Sequence, residues 1–296
     1  MRRALAILLV VAVVATAAFW WLSRPELLPD AAFAGLSGDP ERGELVFWAA
    51  GCASCHAAPG ASGEDRLVLV GGRPFETEFG TFVAPNISMD VEDGIGGWSL
   101  PEFANAMLRG VAPDGRHYYP AFPYTAYRKA TLEDVADLHA FMETLPAAER
   151  ANDPHDLGFP FNIRRGIGLW KRLAQADGWA VEDELTAEEE RGRYLAEALA
   201  HCGECHTPRD ALGVLDRGRW LAGAPNPSGD GRIPNITPAA LDWSQQDIAG
   251  YLASGFTPSF DTVGGTMAAV VQSLGNLPRE DLDAIAAYLA RVRPVE

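Results

Sequence analysis

Nonpolar residues occur along the chain in one long run and in several shorter periodic stretches. The run extends from Ala4 to Leu22 without a charged residue. Later stretches repeat apolar residues at the three- and four-residue spacing of helices with one buried face. Strand-like alternation is nearly absent, so the pattern predicts an all-α fold with at most a small hairpin within 66–83. The two longest later helices are predicted near Leu132–Leu145 and Arg279–Val292, with buried faces formed by Val135, Leu138, Met142, Leu145, Leu282, Ile285, Leu289 and Val292.

The first apolar run is long enough to cross a membrane. As a helix, residues 4–22 would span about 28 Å, close to the hydrocarbon thickness of a bilayer. Two arginines precede the run and favour a cytoplasmic N-terminus. Ala15-Thr16-Ala17 resembles a signal-peptide cleavage site, so a cleaved signal is the alternative. Because the aromatic residues at 19–21 continue the run past that site, we expect an uncleaved transmembrane anchor over 1–25.

The rest of the chain contains one series of motifs twice. Each series has Glu-Arg-Gly at the start of a helical stretch, then Pro-Asn-Ile, then Trp-Ser, then a glycine. Serine favours helix N-caps and glycine favours helix C-termini, so each Trp-Ser and its glycine predict the ends of a short helix. The sequence therefore predicts a first half over 36–147 and a second half over 186–294. The motifs are Glu41-Arg42-Gly43, Pro85-Asn86-Ile87, Trp98-Ser99 and Gly110, then Glu190-Arg191-Gly192, Pro234-Asn235-Ile236, Trp243-Ser244 and Gly255.

A linker over 148–185 separates the two halves. It carries a basic patch in an otherwise acidic chain, formed by Arg164, Arg165, Lys171 and Arg172. Such a patch suits contact with an acidic partner, an anionic cofactor group or anionic lipid. We favour the interpretation that the linker is an amphipathic connector, which packs Ile163, Ile167 and Trp170 between the halves.

Composition places the chain among globular proteins and makes it strongly acidic. The 296 residues are 48% hydrophobic and 22% charged, and the formal net charge is −16 at pH 7. Such a charge opposes binding to the phosphate backbone of nucleic acids, so we expect no nucleic-acid partner. It suits a basic face on a protein partner instead. The sequence has no G-x-G-x-x-G motif that opens a helix after a strand, so nothing indicates a bound dinucleotide.

All four cysteines belong to two copies of C-x-x-C-H, Cys52-Ala53-Ser54-Cys55-His56 and Cys202-Gly203-Glu204-Cys205-His206. This is the attachment signature of c-type haem, in which the thiols form thioethers and the histidine coordinates the iron. A zinc site, a thioredoxin-like redox pair and structural disulfides are alternatives, but each leaves both histidines unexplained. We expect two covalently bound haem c groups, attached through Cys52, Cys55, Cys202 and Cys205, with His56 and His206 as iron ligands.

The order of helix, C-x-x-C-H, long loop, helix, ligand loop and terminal helix resembles the class I cytochrome c fold. The resemblance covers about 38–147 and 186–294. It implies two tandem cytochrome c domains after the N-terminal transmembrane helix. Residues 119–124, Tyr-Pro-Ala-Phe-Pro-Tyr, also resemble the Y-P-A-M-P-Y loop of cytochrome subunits of membrane-bound alcohol and gluconate-type dehydrogenases, whose methionine binds haem.

The second iron ligand is predicted to differ between the two halves. Met267 lies twelve residues after Gly255 in a glycine-rich loop, and we expect it to be the axial ligand there. The same offset from Gly110 leads to Phe122, which cannot ligate iron. His117 is the first candidate to replace it, and an open sixth position is an alternative. The other candidates, which we favour less, are Met107, Met89, His139 and Met142.

Together these features predict a membrane-anchored dihaem cytochrome c. It would relay electrons one at a time from an oxidoreductase partner to a downstream acceptor or oxidase. The expected location is the bacterial inner membrane with the soluble domains in the periplasm, because bacteria attach haem c outside the cytoplasmic membrane. The alternative is a dihaem enzyme, peroxidase-like or oxidising a small molecule, whose active site is the haem of the first half. A haem-based sensor would need a signalling domain, and the sequence contains no segment that resembles one.

Overall fold

The computed structural model describes residues 1–174, 178–227, 229 and 231–296, and 45% of the chain is helical. The helices are α1 (Arg2–Leu22), α2 (Pro40–Ala49), α3 (Cys52–His56), α4 (Leu100–Arg109), α5 (Tyr124–Tyr127), α6 (Leu132–Met142), α7 (Ile167–Ala174), α8 (Ala187–Tyr194), α9 (Gly203–His206), α10 (Gln245–Ser254), α11 (Met267–Leu274) and α12 (Arg279–Arg291). A π-helical turn, Leu195–Leu199, extends α8, and single 3₁₀ turns lie at Asp30–Phe33, Gly63–Leu67, Arg164–Gly166 and Arg217–Arg219.

The fold is mostly helical but also contains short strands, so the prediction of an all-α fold was too strict. The hairpin expected within 66–83 is present as β1 (Pro74–Thr77) and β2 (Gly80–Val83), which pair antiparallel. The linker adds β3 (Asp156–Leu157) to the other edge of β2. In the second half, β4 (Ala224–Pro225) pairs with β5 (Arg232–Ile233). Strands β1, β2, β4 and β5 lie in the long loops after the two C-x-x-C-H motifs, where extended segments satisfy their backbone groups by pairing.

The N-terminal helix α1 contains none of the buried residues. Within the described residues, it is the one helix whose length and hydropathy, 2.5 on average, suit a membrane span. A signal sequence at the start of a chain passes the same test. Its 21 residues correspond to about 31 Å along the axis.

In each half, the first helix crosses the terminal helix at the Glu-Arg-Gly motif. Arg42 on α2 donates to both carboxylate oxygens of Asp137 on α6, at 2.7 and 3.0 Å. Arg191 on α8 donates to Asp281 on α12 through two bonds of 2.8 Å. Such bidentate pairs fix the orientation of the two helices as well as their contact. The repeated arginine therefore sets the same crossing in both halves.

The glycine of the same motif permits the close approach at this crossing. A Cβ atom on Gly43 would lie 2.0 Å from the carbonyl oxygen of Asp137. A Cβ atom on Gly192 would lie 1.9 Å from the carbonyl oxygen of Ala284. No side chain fits at these distances, so the backbones of the paired helices touch where each motif has its glycine.

The core confirms the predicted apolar faces. All eight side chains assigned to the buried faces of α6 and α12, including the two that lie just beyond these helices, are buried. They belong to one connected cluster of buried side chains that runs through both halves. Gly110 and Gly255 end α4 and α10 in the left-handed conformation, with φ of 60° and 77°, as their positions predict.

Candidate functional site

Each C-x-x-C-H motif forms one short helical turn directly after a longer helix. In the first half, Gly51 adopts φ 66° and turns the chain from α2 into α3. In the second half, His201 takes the corresponding left-handed position, with φ 43°, before Cys202 caps α9. None of the four cysteines forms a disulfide bond within the described residues. The turn places both thiols and the histidine of each motif on consecutive positions of a single helical turn.

The histidine of each motif is held by a backbone carbonyl from the Pro-Asn-Ile motif. His56 Nδ1 lies 2.9 Å from the oxygen of Pro85, and His206 Nδ1 lies 2.8 Å from the oxygen of Pro234. Such a bond fixes the orientation of the ring and directs Nε2 toward a metal. Sequence reasoning missed this role of the proline, although its nearly constant spacing from the histidine was the available signal.

Burial shifts the titration of the motif side chains. It lowers the pKa of His56 and of His206 more than the bonds to the proline carbonyls raise it, so both imidazoles are neutral at pH 7. Burial also raises the pKa of Cys52 and of Cys202 to about 12, and the second cysteine of each motif adds to this effect. Neutral imidazole is the form that binds iron.

The asparagines of the Pro-Asn-Ile motifs stabilise the loops that contain them. Asn86 donates to the carbonyl oxygen of Ala148 at 2.7 Å and accepts from the backbone N–H of Ser88 at 2.9 Å. Asn235 donates to the carbonyl oxygen of Val295 at 2.7 Å. Both asparagines therefore tie the segment that holds the histidine to the chain that follows the terminal helix.

The donor set of each turn fits a covalently attached haem. Two thiols stand three positions apart, an imidazole follows at once, and its Nδ1 is already engaged, which leaves Nε2 for iron. The cytochrome c family profile matches residues 40–146, and these include the first motif. A protein named diheme cytochrome c-type from Cereibacter sphaeroides is 58% identical over 296 residues, the whole of both chains. The chain belongs to the cytochrome c family.

Two further relatives are cytochrome subunits of dehydrogenases, which confirms the resemblance noted in the sequence. The fructose dehydrogenase cytochrome subunit of Gluconobacter japonicus is 39% identical over 258 residues, 85% of this cytochrome and 52% of the relative. The gluconate 2-dehydrogenase cytochrome c subunit of Pantoea cypripedii is 33% identical over 285 residues, 89% of this cytochrome and 63% of the relative. This cytochrome thus spans only part of the length of these two subunits. Family membership supports covalently bound haem c, and the diheme relative supports a count of two.

Met267, the predicted axial ligand, is the first residue of α11 rather than part of a loop. Its side chain is half-buried and packs against the core. The N-terminal position leaves the side chain at the junction between the glycine-rich segment and the helix. Its role as iron ligand stays a prediction.

Phe122 takes the position that corresponds to Met267 in the first half, and aromatic rings surround it. Its ring centroid lies 5.7 Å from Tyr118, 6.3 Å from Tyr124 and 5.7 Å from Tyr127. Rings at these distances pack edge to face. Phe122 thus fills its position with apolar contacts.

His117 is buried and uses both ring nitrogens in protein contacts. Nε2 lies 2.8 Å from the carbonyl oxygen of Ser23, and Nδ1 lies 3.2 Å from Nζ of Lys171. The same Lys171 donates to the carbonyl oxygens of Arg109 and Gly110 at 2.6 and 2.7 Å. Iron ligation by His117 would require one of its two contacts to break, so the geometry favours a structural role, although ligation stays open as a prediction.

The other candidate ligands in the first half lie within packed side chains. Met107 and Met142 are buried in the core, and Met89 packs against it. His139 is buried with its ring centroid 5.1 Å from that of Phe103. These contacts are typical of core residues.

The two attachment turns contact the opposite half at equivalent positions. Ser54, the second variable residue of the first motif, donates to the carbonyl oxygen of Ala269 on α11 at 3.0 Å. Glu204, the second variable residue of the other motif, accepts from Thr125 Oγ1 on α5 at 2.6 Å. Because α11 begins at Met267 and α5 begins two residues after Phe122, the equivalent position, corresponding segments of the two halves each pack on the attachment turn of the other half.

Tyr127 lies between the two attachment turns. It is buried, and its hydroxyl donates to the carbonyl oxygen of Ala50 at 2.8 Å, two residues before Cys52. Its ring lies edge-on to that of His201, directly before Cys202, with centroids 5.4 Å apart. One side chain therefore contacts the residues that lead into both motifs.

A buried ion pair also joins the halves. Nζ of Lys129 lies 2.9 Å from Oε2 of Glu197, whose side chain is fully buried. Glu197 also accepts from the hydroxyl of Tyr288 at 2.7 Å and from the backbone N–H of Ala180 at 2.7 Å. The carboxylate thus links the first half, the linker and α12.

Arg73 and Arg209 brace the two turns. Arg73 donates to the carbonyl oxygen of Ser54 at 2.7 Å. Arg209 donates to the carbonyl oxygen of Glu204 at 3.0 Å and pairs with its carboxylate. Each arginine therefore holds the second variable residue of a motif, the residue that contacts the other half.

Proposed function

We propose that this chain is a dihaem electron-transfer subunit that carries electrons from a dehydrogenase partner to a downstream acceptor. Its halves, 36–147 and 186–294, would act as two tandem cytochrome c domains joined by the linker over 148–185. Each C-x-x-C-H turn would hold one haem c through its two cysteines and its histidine. Haem supplies a one-electron iron couple, which matches the proposed one-electron relay.

The observation that carries this proposal is the reciprocal packing of the attachment turns. Ser54 contacts α11, Glu204 contacts α5, and Tyr127 contacts the residues that precede both motifs. Two haem groups attached at these turns would face one shared interface rather than opposite ends of the molecule. Such proximity suits electron transfer between the groups.

The residues around each turn have roles that do not require a substrate. His56 and His206 would coordinate iron through Nε2 while Pro85 and Pro234 hold their orientation. Met267 would complete the coordination in the second half and favour a high reduction potential. The relatives named as dehydrogenase cytochrome subunits support a dehydrogenase as electron donor.

We further propose that α1 anchors the chain in the bacterial inner membrane with both halves in the periplasm. Its apolar length supports a span, and the following residues are tied to the folded part of the chain. Arg165 donates to Ser23 Oγ at 2.9 Å, and Arg172 donates to the carbonyl oxygen of Leu22 at 2.6 Å. A helix end bonded in this way suits an anchor that is retained.

Phe122 cannot ligate iron, so an enzyme with an open position at the first haem is the alternative to an electron relay. Carbon monoxide binding distinguishes the two functions. For a relay, we expect two low-spin haem groups in both oxidation states and no carbon monoxide adduct of the reduced full-length protein. A high-spin component that binds carbon monoxide would contradict this expectation. It would favour an open catalytic position at the haem of the first half.

A further inference from the structure

Apolar side chains at the surface concentrate in the linker. Among the described residues after α1, ten large apolar side chains are exposed, and four of them lie within 159–173. Phe159 is 80% exposed, Phe161 46%, Ile163 47% and Leu173 69%. These four residues form the linker surface. Ile163 was predicted to pack between the halves, and its exposure shows that this interpretation of the linker was wrong for that residue.

The linker surface is continuous with residues that bind the end of α1. Arg165, two positions after Ile163, donates to the carbonyl oxygen of Trp20 at 2.8 Å and stacks over the Trp20 ring at 4.4 Å. Arg172, next to Leu173, bonds the carbonyl oxygen of Leu22. Between them, Gly168 approaches the carbonyl oxygen of Ser23 so closely that a Cβ atom would lie 2.4 Å away. The segment that carries the linker surface is therefore packed directly against the last turn of α1.

This attachment sets the depth of the linker surface if α1 spans a bilayer. A helix of about 31 Å just crosses the hydrocarbon region, so Trp20–Ser23 would lie at the boundary where α1 leaves it. Tryptophan concentrates at this boundary, and arginine extends its charge into the headgroups there. Residues bonded to Trp20 and Leu22 must lie at nearly the same depth.

We propose that the linker surface inserts into the headgroup region of the leaflet from which α1 emerges. The combination of exposed Phe, Ile and Leu side chains with neighbouring arginines is that of an interfacial membrane segment. The arginines would face the phosphate groups of anionic phospholipids. The inference rests on the proposed anchoring by α1, and it fixes the orientation of both halves relative to the membrane.

Photo-crosslinking with lipids tests this proposal on the full-length holoprotein. The protein would be reconstituted in nanodiscs of phosphatidylcholine and phosphatidylglycerol that contain a phospholipid with a diazirine near the headgroup end of its acyl chain. We expect lipid adducts in peptides from α1 and from 159–173. The segment 256–263 serves as control because it carries exposed Phe256 and Phe260 and, among the described residues, forms no hydrogen bond with α1, and we expect background labelling there.

A matched pair of variants tests whether exposed aromatic residues crosslink to lipid nonspecifically. The triple variant Phe159→Ser, Phe161→Ser, Ile163→Ser should lower adduct formation in 159–173 several-fold and leave that of α1 unchanged. The double variant Phe256→Ser, Phe260→Ser should change neither. Because all five side chains are exposed, the haem absorption spectrum of each variant should equal that of the wild type.

The outcomes separate the two proposals. If α1 is labelled but 159–173 shows only background labelling, the proposed insertion is overturned and the anchor stands. The linker surface would then be a contact site for a protein partner. Background labelling of both segments would overturn the anchor and, with it, the insertion.

Discussion

Two hydrogen bonds hold the His117 side chain in place. Its ring is buried between the carbonyl oxygen of Ser23 and the ammonium group of Lys171, and burial lowers its pKa. A buried polar group that gives up its partner loses about 1–3 kcal/mol. His117 is therefore best suited to link the loop after α4 to the segment that follows α1.

The first prediction follows for His117→Ala in the full-length holoprotein. We expect the free energy of unfolding to fall by about 2 kcal/mol, because two buried contacts are lost. Urea unfolding measures this effect, and absorption spectroscopy of the same variant tests ligation. Conversion of one haem to high spin in His117→Ala, with the low-spin spectrum kept in the control Met107→Leu, would show that His117 is a ligand, whereas an unchanged spectrum would assign the distal position to another group.

The second prediction concerns Met267. In Met267→Leu, which conserves volume, we expect loss of the weak long-wavelength charge-transfer band that marks a bond between methionine sulfur and ferric iron. The thioether is the only iron-ligating group of this side chain, so leucine cannot substitute for it. The band should persist in Met107→Leu. Its persistence in Met267→Leu would instead assign the sulfur ligand to another methionine.

For single residues, haem attachment by C-x-x-C-H could be predicted from sequence, but the hydrogen bonds that orient the two histidines could not. The C-x-x-C-H motif is recognised by its residue types and their spacing. The carbonyl oxygens of Pro85 and Pro234 bond the histidines through backbone atoms, which every residue carries and which leave no signature in residue type. Only the repeated spacing between histidine and proline suggested a connection.

The crossings of α2 with α6 and of α8 with α12 are the elements that define each half. Each crossing combines a bidentate arginine–aspartate pair with a glycine at the point of contact. The pair orients the helices, and the glycine allows their backbones to meet. The Glu-Arg-Gly motif is therefore a packing motif, and its position before C-x-x-C-H explains why both turns leave their helix in a similar way.

The third prediction tests this packing with Gly43→Ala. Its Cβ atom would lie 2.0 Å from the carbonyl oxygen of Asp137, so we expect a loss of about 3 kcal/mol or more in the free energy of unfolding. The control Gly250→Ala, in α10 with open space around it, should be stabilising by about 0.5–1 kcal/mol. Urea unfolding followed by circular dichroism compares the two. Equal stability of Gly43→Ala and the wild type would contradict the close crossing.

Elements with a strong local pattern could be predicted, whereas those stabilised by distant contacts could not. The faces of α6 and α12 and the glycines that end α4 and α10 follow from local sequence. By contrast, the glycines at 264 and 265 predict a loop at Met267, whereas Met267 begins α11. Its helix packs against α2 and α3 of the other half, and this tertiary contact outweighs the local glycine signal.

At the scale of the whole molecule, one polar interface joins the two halves. It includes Ser54 with Ala269, Thr125 with Glu204 and Lys129 with Glu197. The first two contacts correspond to each other in the two halves, whereas the described residues contain no equivalent of the ion pair. We expect the ion pair to make the arrangement of the two halves specific.

The fourth prediction concerns this ion pair. Lys129→Met leaves the fully buried Glu197 carboxylate without its cation, and we expect the free energy of unfolding to fall by about 3 kcal/mol. The control Arg279→Met breaks an ion pair with Asp283 that is largely exposed, so its effect should stay within about 0.5 kcal/mol. Urea unfolding of both variants provides the comparison. An effect of Lys129→Met no larger than that of Arg279→Met would show that the pair does not hold the halves together.

The proposed relay requires that both C-x-x-C-H turns carry a haem and that the two groups act as one-electron sites. A coulometric reductive titration of the full-length holoprotein, followed by haem absorbance, counts these sites. We expect full and reversible reduction to take two electrons per chain, with both haem groups contributing to the absorbance change. Uptake of one electron per chain would contradict the proposed relay.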